Sequence, residues 1–302
     1  MIIRYIDRLS KQEHTELVYG GFFLRILYGE RWWEKILSFV FLPLICASSI
    51  ASHLYGWIQK RFFTKAKIAP FIRRFNVDTS EFAQPVSSYK CFNDFFIRKI
   101  KPRPLAPGAD VALIPADGRY LVYENIHACD GFWIKGHKFH LEELLNSPIL
   151  AHKYAHGSIA IARLAPPDYH RFHFPADCEP DSPQEIHGKL YSVSPIALRR
   201  NIHYLTTNKR VLTPLHTHHF GTILYLEIGA TYVGTIHQTF APGQHQIRGA
   251  EKGYFSFGGS CVILLFEPFR ITFDADLISN SHRKIETLCK FGQSLGKAFA
   301  PL

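Results

Sequence analysis

The tightest constraint on this chain is Ser256-Phe257-Gly258-Gly259-Ser260, followed directly by Cys261-Val262-Ile263-Leu264-Leu265-Phe266. An apolar run of that length behind turn residues reads as a buried strand. The two glycines put a bend or a close backbone approach just ahead of it. An ordinary strand-entry turn accounts for the pattern. A chemical reading also accounts for it: the Ser260 hydroxyl attacks the carbonyl of Gly259, which no side chain crowds and whose backbone is free to rotate. A serine hydroxyl is a weak nucleophile, so that reaction needs a base and a group to orient the base.

Further strand signals surround this one. Val111–Ile114, Ser158–Ile161, Thr222–Leu226 and Tyr232–Ile236 are short, apolar and bounded by Gly, Pro or Asp. Helical periodicity is confined to pieces such as Leu141–Leu145 and the tail beyond Asp274. The expected fold is α+β: a mainly antiparallel β body, sandwich or barrel-like, with N-terminal helices. Two regions are expected, an apolar and basic helical region over 1–75 and a folded body over 76–302.

The first region differs in character from the second. Ile36 to Trp57 contains no Asp, Glu, Lys or Arg, and basic residues flank it: Arg25, Arg31 and Lys35 before, Lys60, Arg61, Lys65, Lys67, Arg73 and Arg74 after. Trp32, Trp33, Tyr55 and Trp57 sit near its ends, where amphipathic rings meet a lipid interface. About 20 apolar residues suffice to span a bilayer, but Pro43, Ser38, Ser48, Ser49, Ser52 and His53 weaken the segment as a span. Helices lying in one leaflet, a true span and an ordinary core helix all remain open. Basic flanks on both sides favour surface attachment.

The 302 residues carry 35 Lys and Arg against 25 Asp and Glu, a net charge of +10 that favours an anionic partner. No nucleic-acid-binding motif accompanies the charge, and much of it lies beside apolar sequence, so nucleic acid is not the expected partner. The six cysteines are widely spaced without a CxxC pair, against both a disulfide framework and a four-cysteine zinc site. Met1-Ile2-Ile3-Arg4-Tyr5 lacks the order of a secretory signal.

Candidate partners for Ser260 lie in two places. Pro115-Ala116-Asp117-Gly118 places an Asp before Gly after a strand, which also fits a plain turn. Asp168-Tyr169-His170-Arg171-Phe172-His173 carries two histidines three apart amid prolines that argue against a helix. On an extended strand such positions face opposite ways, so two separate duties are expected and no metal site. His216, His218, His219, His237 and His245 read as surface or packing residues. Arg98 and Arg103, on the piece Phe92–Lys99 and the proline-punctuated loop after it, read as solvated charge.

Four motifs in order then resemble the phosphatidylserine decarboxylases, which are self-processing and pyruvoyl-dependent. They are Phe92 to Arg98 with Arg103-Pro104, Pro115-Ala116-Asp117-Gly118, Asp168 to His173, and Phe257-Gly258-Gly259-Ser260 before a strand. Lesser echoes are Trp133-Ile134-Lys135-Gly136, Leu190 to Pro195 and Asn208-Lys209-Arg210-Val211. The likeness runs from about residue 85 to 275. Position 261 is Cys where the family more often has Ser or Thr.

The resemblance implies that Asp117 orients His173, that His173 deprotonates Ser260, and that the Gly259-Ser260 bond is cut. The products would be a β chain, 1–259, and an α chain, 260–302, that begins with a covalent pyruvoyl group made from Ser260. That group would form a Schiff base with phosphatidylserine, with His170 assisting loss of CO₂ to give phosphatidylethanolamine. It further implies a peripheral location on the cytoplasmic face of the cell membrane, with phosphatidylserine and the anionic bilayer as partners. A homo-oligomer is left open. Rival expectations are a pyruvoyl decarboxylase of a soluble amino acid and a lipid-binding protein that is never cut.

Overall fold

The computed structural model of the chain describes residues 3–29, 31–34, 36, 39, 56–126, 140–201, 203–230, 236–256 and 260–299. In chain order the strands are β1 (Arg4–Asp7), β2 (Glu13–Thr15), β3 (Val111–Leu113), β4 (Gly118–Tyr123), β5 (Ser158–Leu164), β6 (Arg171–His173), β7 (Cys178–Pro180) and β8 (Gln184–Ile186). They continue with β9 (Arg210–Thr217), β10 (Gly221–Gly229), β11 (Ile236–Gln238), β12 (Glu251–Phe255), β13 (Ser260–Phe266), β14 (Ile271–Phe273), β15 (Glu286–Cys289) and β16 (Ser294–Ala298).

The longest apolar runs take the middle of the large sheet, ordered β2-β1-β15-β4-β5-β13-β10-β9-β7 with β8 also on β9. Residues of β5 and β13 are buried throughout, as strands covered on both faces must be. Every described pairing in this sheet is antiparallel except β1 with β15. Alternation along β13 splits the core in two. Cys261, Ile263 and Leu265 enter one cluster with residues of the helices Leu141–Leu145, Pro148–Tyr154, Pro195–Arg200 and Tyr204–Thr207. Val262, Leu264 and Phe266 enter another with Phe172, Phe255 and Phe273, contributed by the small sheets β11-β12-β6 and β14-β16-β3. The body therefore has three layers: helices, the large sheet, and two small sheets.

This agrees with the α+β, mainly antiparallel expectation and corrects the barrel-like alternative. Among the described residues the ends of the large sheet, β2 and β7, do not pair, so the sheet is open. The tail beyond Asp274 is helical only over Ala275–His282 and then supplies β15 and β16. The first residues, expected to be helical, instead add the β1-β2 hairpin to the sheet. Helix does form at Gly21–Tyr28 and at Ile68–Phe75, the latter ending where Asn76 turns left-handed. Among the described residues no helix is long and apolar enough to cross a membrane. Most of Ile36–Trp57 lies outside the described residues.

A third cluster, almost wholly aromatic, joins Phe71 of the Ile68–Phe75 helix to Phe82, Tyr89 and Phe92, Phe95 and Phe96. It carries the N-terminal region onto the body beside the histidine segment.

Candidate active site

Ser260 is the first residue of β13, a central strand. Its register partners are Leu164, the last residue of β5, and Gly229, the last of β10. Three strand ends therefore converge on it. It is fully buried, and its hydroxyl has no hydrogen-bond partner among the described residues. A buried hydroxyl left unpaired costs free energy, about 1–3 kcal/mol, and such atoms concentrate where chemistry is done. Gly259, the other half of the expected cleavage site, lies outside the described residues.

The chain leaves β5 at Leu164, turns over Ala165–His170 and enters β6. The Asp168 carboxylate closes the turn by accepting from the Ala165 amide at 2.7 Å, and the Asp168 amide donates to the Ala165 carbonyl at 2.9 Å. His170 is buried with Nδ1 2.9 Å from the Asp168 carbonyl, an acceptor, so Nδ1 carries the proton. Its ring lies 4.0 Å from that of Phe96, and its carbonyl accepts from the Phe255 amide. The His170 backbone is thus bound to the end of β12, five residues before Ser260.

His173 faces a different set of groups, as the odd spacing requires. Its Nδ1 donates to the Gly249 carbonyl at 3.0 Å, which leaves the lone pair on Nε2, where the Tyr169 hydroxyl donates at 3.1 Å. The ring stacks on Phe291 at 3.7 Å. Burial pushes this imidazole down to about 4, so at neutral pH it is an uncharged ring with a basic Nε2.

Asp117 lies close by without touching it. Its carboxylate accepts both arms of Arg103, at 2.6 and 3.0 Å, and the Phe291 amide at 2.7 Å. Phe291 stands between the two, its amide on Asp117 and its ring on His173. The His173 amide donates to the Pro115 carbonyl, which draws the two segments together. Gly118 is required by close approach more than by a turn: a Cβ there would come within 2.9 Å of the Arg163 carbonyl on β5. The structure therefore gathers Asp117, His170, His173 and Ser260 around one end of β5 and β13, with no hydrogen bond among Asp117, His173 and Ser260.

Of the arginines expected to be solvated, Arg98 is buried and Arg103 is half-buried. Arg103 is tied up by Asp117 and Glu81. Arg98 packs against the rings of Phe82 and Phe95 and donates to the Pro167 and Asp168 carbonyls at 2.7 and 3.1 Å, bracing the histidine turn. The sequence reading also passed over Tyr169, although it stands inside the quoted motif, and Phe291. Among the described residues no group of three His, Cys, Asp or Glu is gathered in a way that could hold a metal ion.

Known proteins resemble the chain over nearly its whole length. The family profile described as phosphatidylserine decarboxylase matches residues 92–297. The chain is 46% identical over 297 residues to a phosphatidylserine decarboxylase proenzyme of Chlamydia pneumoniae, covering 98% of this chain and 97% of that protein. It is 49% identical over 298 residues to the proenzyme of that name from Chlamydia trachomatis serovar L2, again covering 98% and 97%. A third proenzyme of that name, from Chlamydia felis, is 46% identical over 298 residues, covering 98% of each chain. The chain belongs to the phosphatidylserine decarboxylase family and is a decarboxylase.

Proposed function

We propose that the chain cuts itself between Gly259 and Ser260, converts Ser260 into a pyruvoyl group, and uses it to turn phosphatidylserine into phosphatidylethanolamine and CO₂. The observation that carries this reading is the Ser260 hydroxyl, fully buried and without a partner among the described residues, at the head of a central strand. The printed name of the relatives, proenzyme, supports a precursor that is processed. A serine shut away from solvent fits as the source of a covalent group that water must not reach freely. Bound in that position, a pyruvoyl group supplies an electron sink for the pair left when CO₂ departs.

The chain's own residues divide the work. His173, held uncharged by burial, takes the Ser260 proton on Nε2, once the Tyr169 hydroxyl has turned aside or passed the proton along. Asp117 acts at one remove, through Phe291, against which the imidazole lies flat. His170 holds and delivers a proton at the substrate carbon. After the cut the two chains stay interleaved. Of the α chain, β13 lies between β5 and β10, and β15 lies between β1 and β4.

Exposed Trp57, Phe62 and Phe63, interspersed with Lys60, Arg61, Lys65 and Lys67, support a peripheral attachment of the region up to 75 to an anionic membrane face, where the lipid substrate resides. Phe62 is 82% exposed, more than an ordinary surface needs. Two variants test the assignment. His173→Ala is expected to run as one uncut band on a denaturing gel. His170→Ala is expected to be cut normally, gain a hydroxylamine-reactive carbonyl, and form little phosphatidylethanolamine. Efficient cutting of the first, or normal turnover by the second, removes the role given to that histidine.

A further inference from the structure

On the helix-covered face of the large sheet, one residue from Ser260, lies a cluster of five charged side chains. Arg119 of β4 and Arg163 of β5 stand directly opposite each other, and Arg163 stands directly opposite Cys261. Like charges placed opposite each other on neighbouring strands repel, and burial sharpens the repulsion. The side chain that separates them comes from the far N-terminus. Glu16 accepts from Arg163 Nη1 at 3.0 Å and Nη2 at 2.5 Å, and its Oε2 lies 3.3 Å from Arg119 Nε. Glu286 takes the other edge of Arg163, at 3.0 and 2.7 Å.

Arg119 packs over the Tyr5 ring, 4.8 Å from its centroid, and has one further carboxylate partner. Its Nη1 donates at 2.6 Å to Asp168 Oδ2, the oxygen that also closes the Ala165–Asp168 turn. That turn carries Tyr169 and His170. Glu16, Arg119, Asp168 and the histidine turn therefore form an unbroken series of buried contacts. On its other side Glu16 is three residues from Tyr19, whose ring packs on Phe71 and Phe75 of the Ile68–Phe75 helix at 5.7 and 5.9 Å. The two guanidinium groups outweigh burial and hold the Glu16 carboxyl below its ordinary range, so it is charged at neutral pH.

We propose that Glu16 is a positioning residue for the reaction: it fixes Arg119 so that Arg119 can hold Asp168, and with it His170, at the working distance from residue 260. The N-terminal segment then serves the chemistry as well as attachment. This rests on the self-processing reading above. A guanidinium fork that loses one of its two carboxylate anchors can swing, and a misplacement of about 1 Å at a reacting group costs up to about a hundredfold in rate.

The experiment uses the full chain, as wild type, Glu16→Gln, Arg119→Lys and Glu13→Gln. Glu13→Gln is the control, since among the described residues Glu13 pairs with Arg4 at the exposed edge of the same hairpin. Each is followed for its thermal melt, the rate of self-cutting, and kcat and KM on phosphatidylserine in mixed micelles well below the melting temperature. Expected is a loss of about tenfold or more in cutting rate or kcat for Glu16→Gln and Arg119→Lys, with KM and vesicle binding within about twofold of wild type and Glu13→Gln unchanged. Arg119→Lys keeps the charge while losing the fork, so it decides the matter if Glu16→Gln does not fold. Wild-type rates in both variants, a change in KM alone, or a loss matching the unfolded fraction would overturn the proposal. A wild type that stays uncut and carries no reactive carbonyl overturns instead the reading on which it rests.

Discussion

Two of the buried charge clusters lie one on each face of the large sheet, and the two are built differently. The cluster around Arg163 draws on five separate segments, and Arg163 reaches 147 residues back to Glu16 and 123 forward to Glu286. Its carboxylates are met by more than one donor. The other site is Lys252, wholly buried, with Nζ 2.5 Å from Glu227, 3.0 Å from Thr213 and 2.9 Å from Gln238, between the rings of Phe172, Tyr225 and Phe240. Here Glu227 Oε2 and the Tyr225 hydroxyl are left without partners among the described residues. Burial alone says little about what an ion pair does, because desolvation offsets attraction. The connections say more: the first site fastens distant segments to the histidine turn, while the second joins two neighbouring sheets.

The largest effect that follows is on stability. Arg163→Ala leaves buried Glu286 without the cation that meets both its oxygens, and Glu16 with Arg119 alone. A loss of about 3–5 kcal/mol in unfolding free energy is expected by denaturant titration of the full chain. A loss below about 1 kcal/mol would mean that the cluster is not what fastens these segments.

Next in size is the effect of acid, which acts on the site between the two clusters. The folded state holds His173 down at about 4, against about 6.5 in an unfolded chain. Between those values the unfolded chain binds the proton and the folded chain does not. The uncharged ring thus has its full stability above pH 6.5, and the folded state loses ground as pH falls toward 4. The change amounts to up to about 3 kcal/mol. Denaturation curves at pH 7 and pH 4.5 are expected to differ more for wild type than for His173→Gln. Equal differences would place the titrating group elsewhere.

The contrast also marks how far the residues could be read in advance. Strands buried on both faces announced themselves, since Ser158–Leu164 and Ser260–Phe266 are apolar without a gap long enough to mistake. Ser260 could be named because its position at the head of such a strand is local information. What stayed hidden depends on partners far along the chain. Arg4–Asp7 is too short and polar to read as a strand, and becomes one by pairing with Glu286–Leu288. Arg103 looks solvated until Asp117, 14 residues on, takes both its arms. The Asp117 carboxylate was likewise expected on His173 and is engaged by Arg103 and Phe291. One signal was present: Arg163 is the single cation of a wholly buried strand and Lys252 the single cation of a largely buried one, and each marks a cluster.

The smallest effect is the sharpest test of the contrast. If the Lys252–Glu227 pair serves only its two sheets, replacing both members with apolar residues of similar volume, Lys252→Met with Glu227→Leu, should change stability by no more than about 1 kcal/mol. Each single change should cost more than the pair, because it leaves one buried group without its partner, so the double-mutant cycle should show strong coupling. Self-cutting should persist in the double variant, since neither residue contacts Ser260 or either histidine of the turn. The same treatment of the other cluster, Arg163→Met with Glu16→Leu, leaves Arg119 with Asp168 as its one carboxylate and Glu286 without Arg163. It should therefore fail to recover either stability or cutting. If both pairs behaved alike under this exchange, the number of segments an ion cluster joins would carry no information about its role.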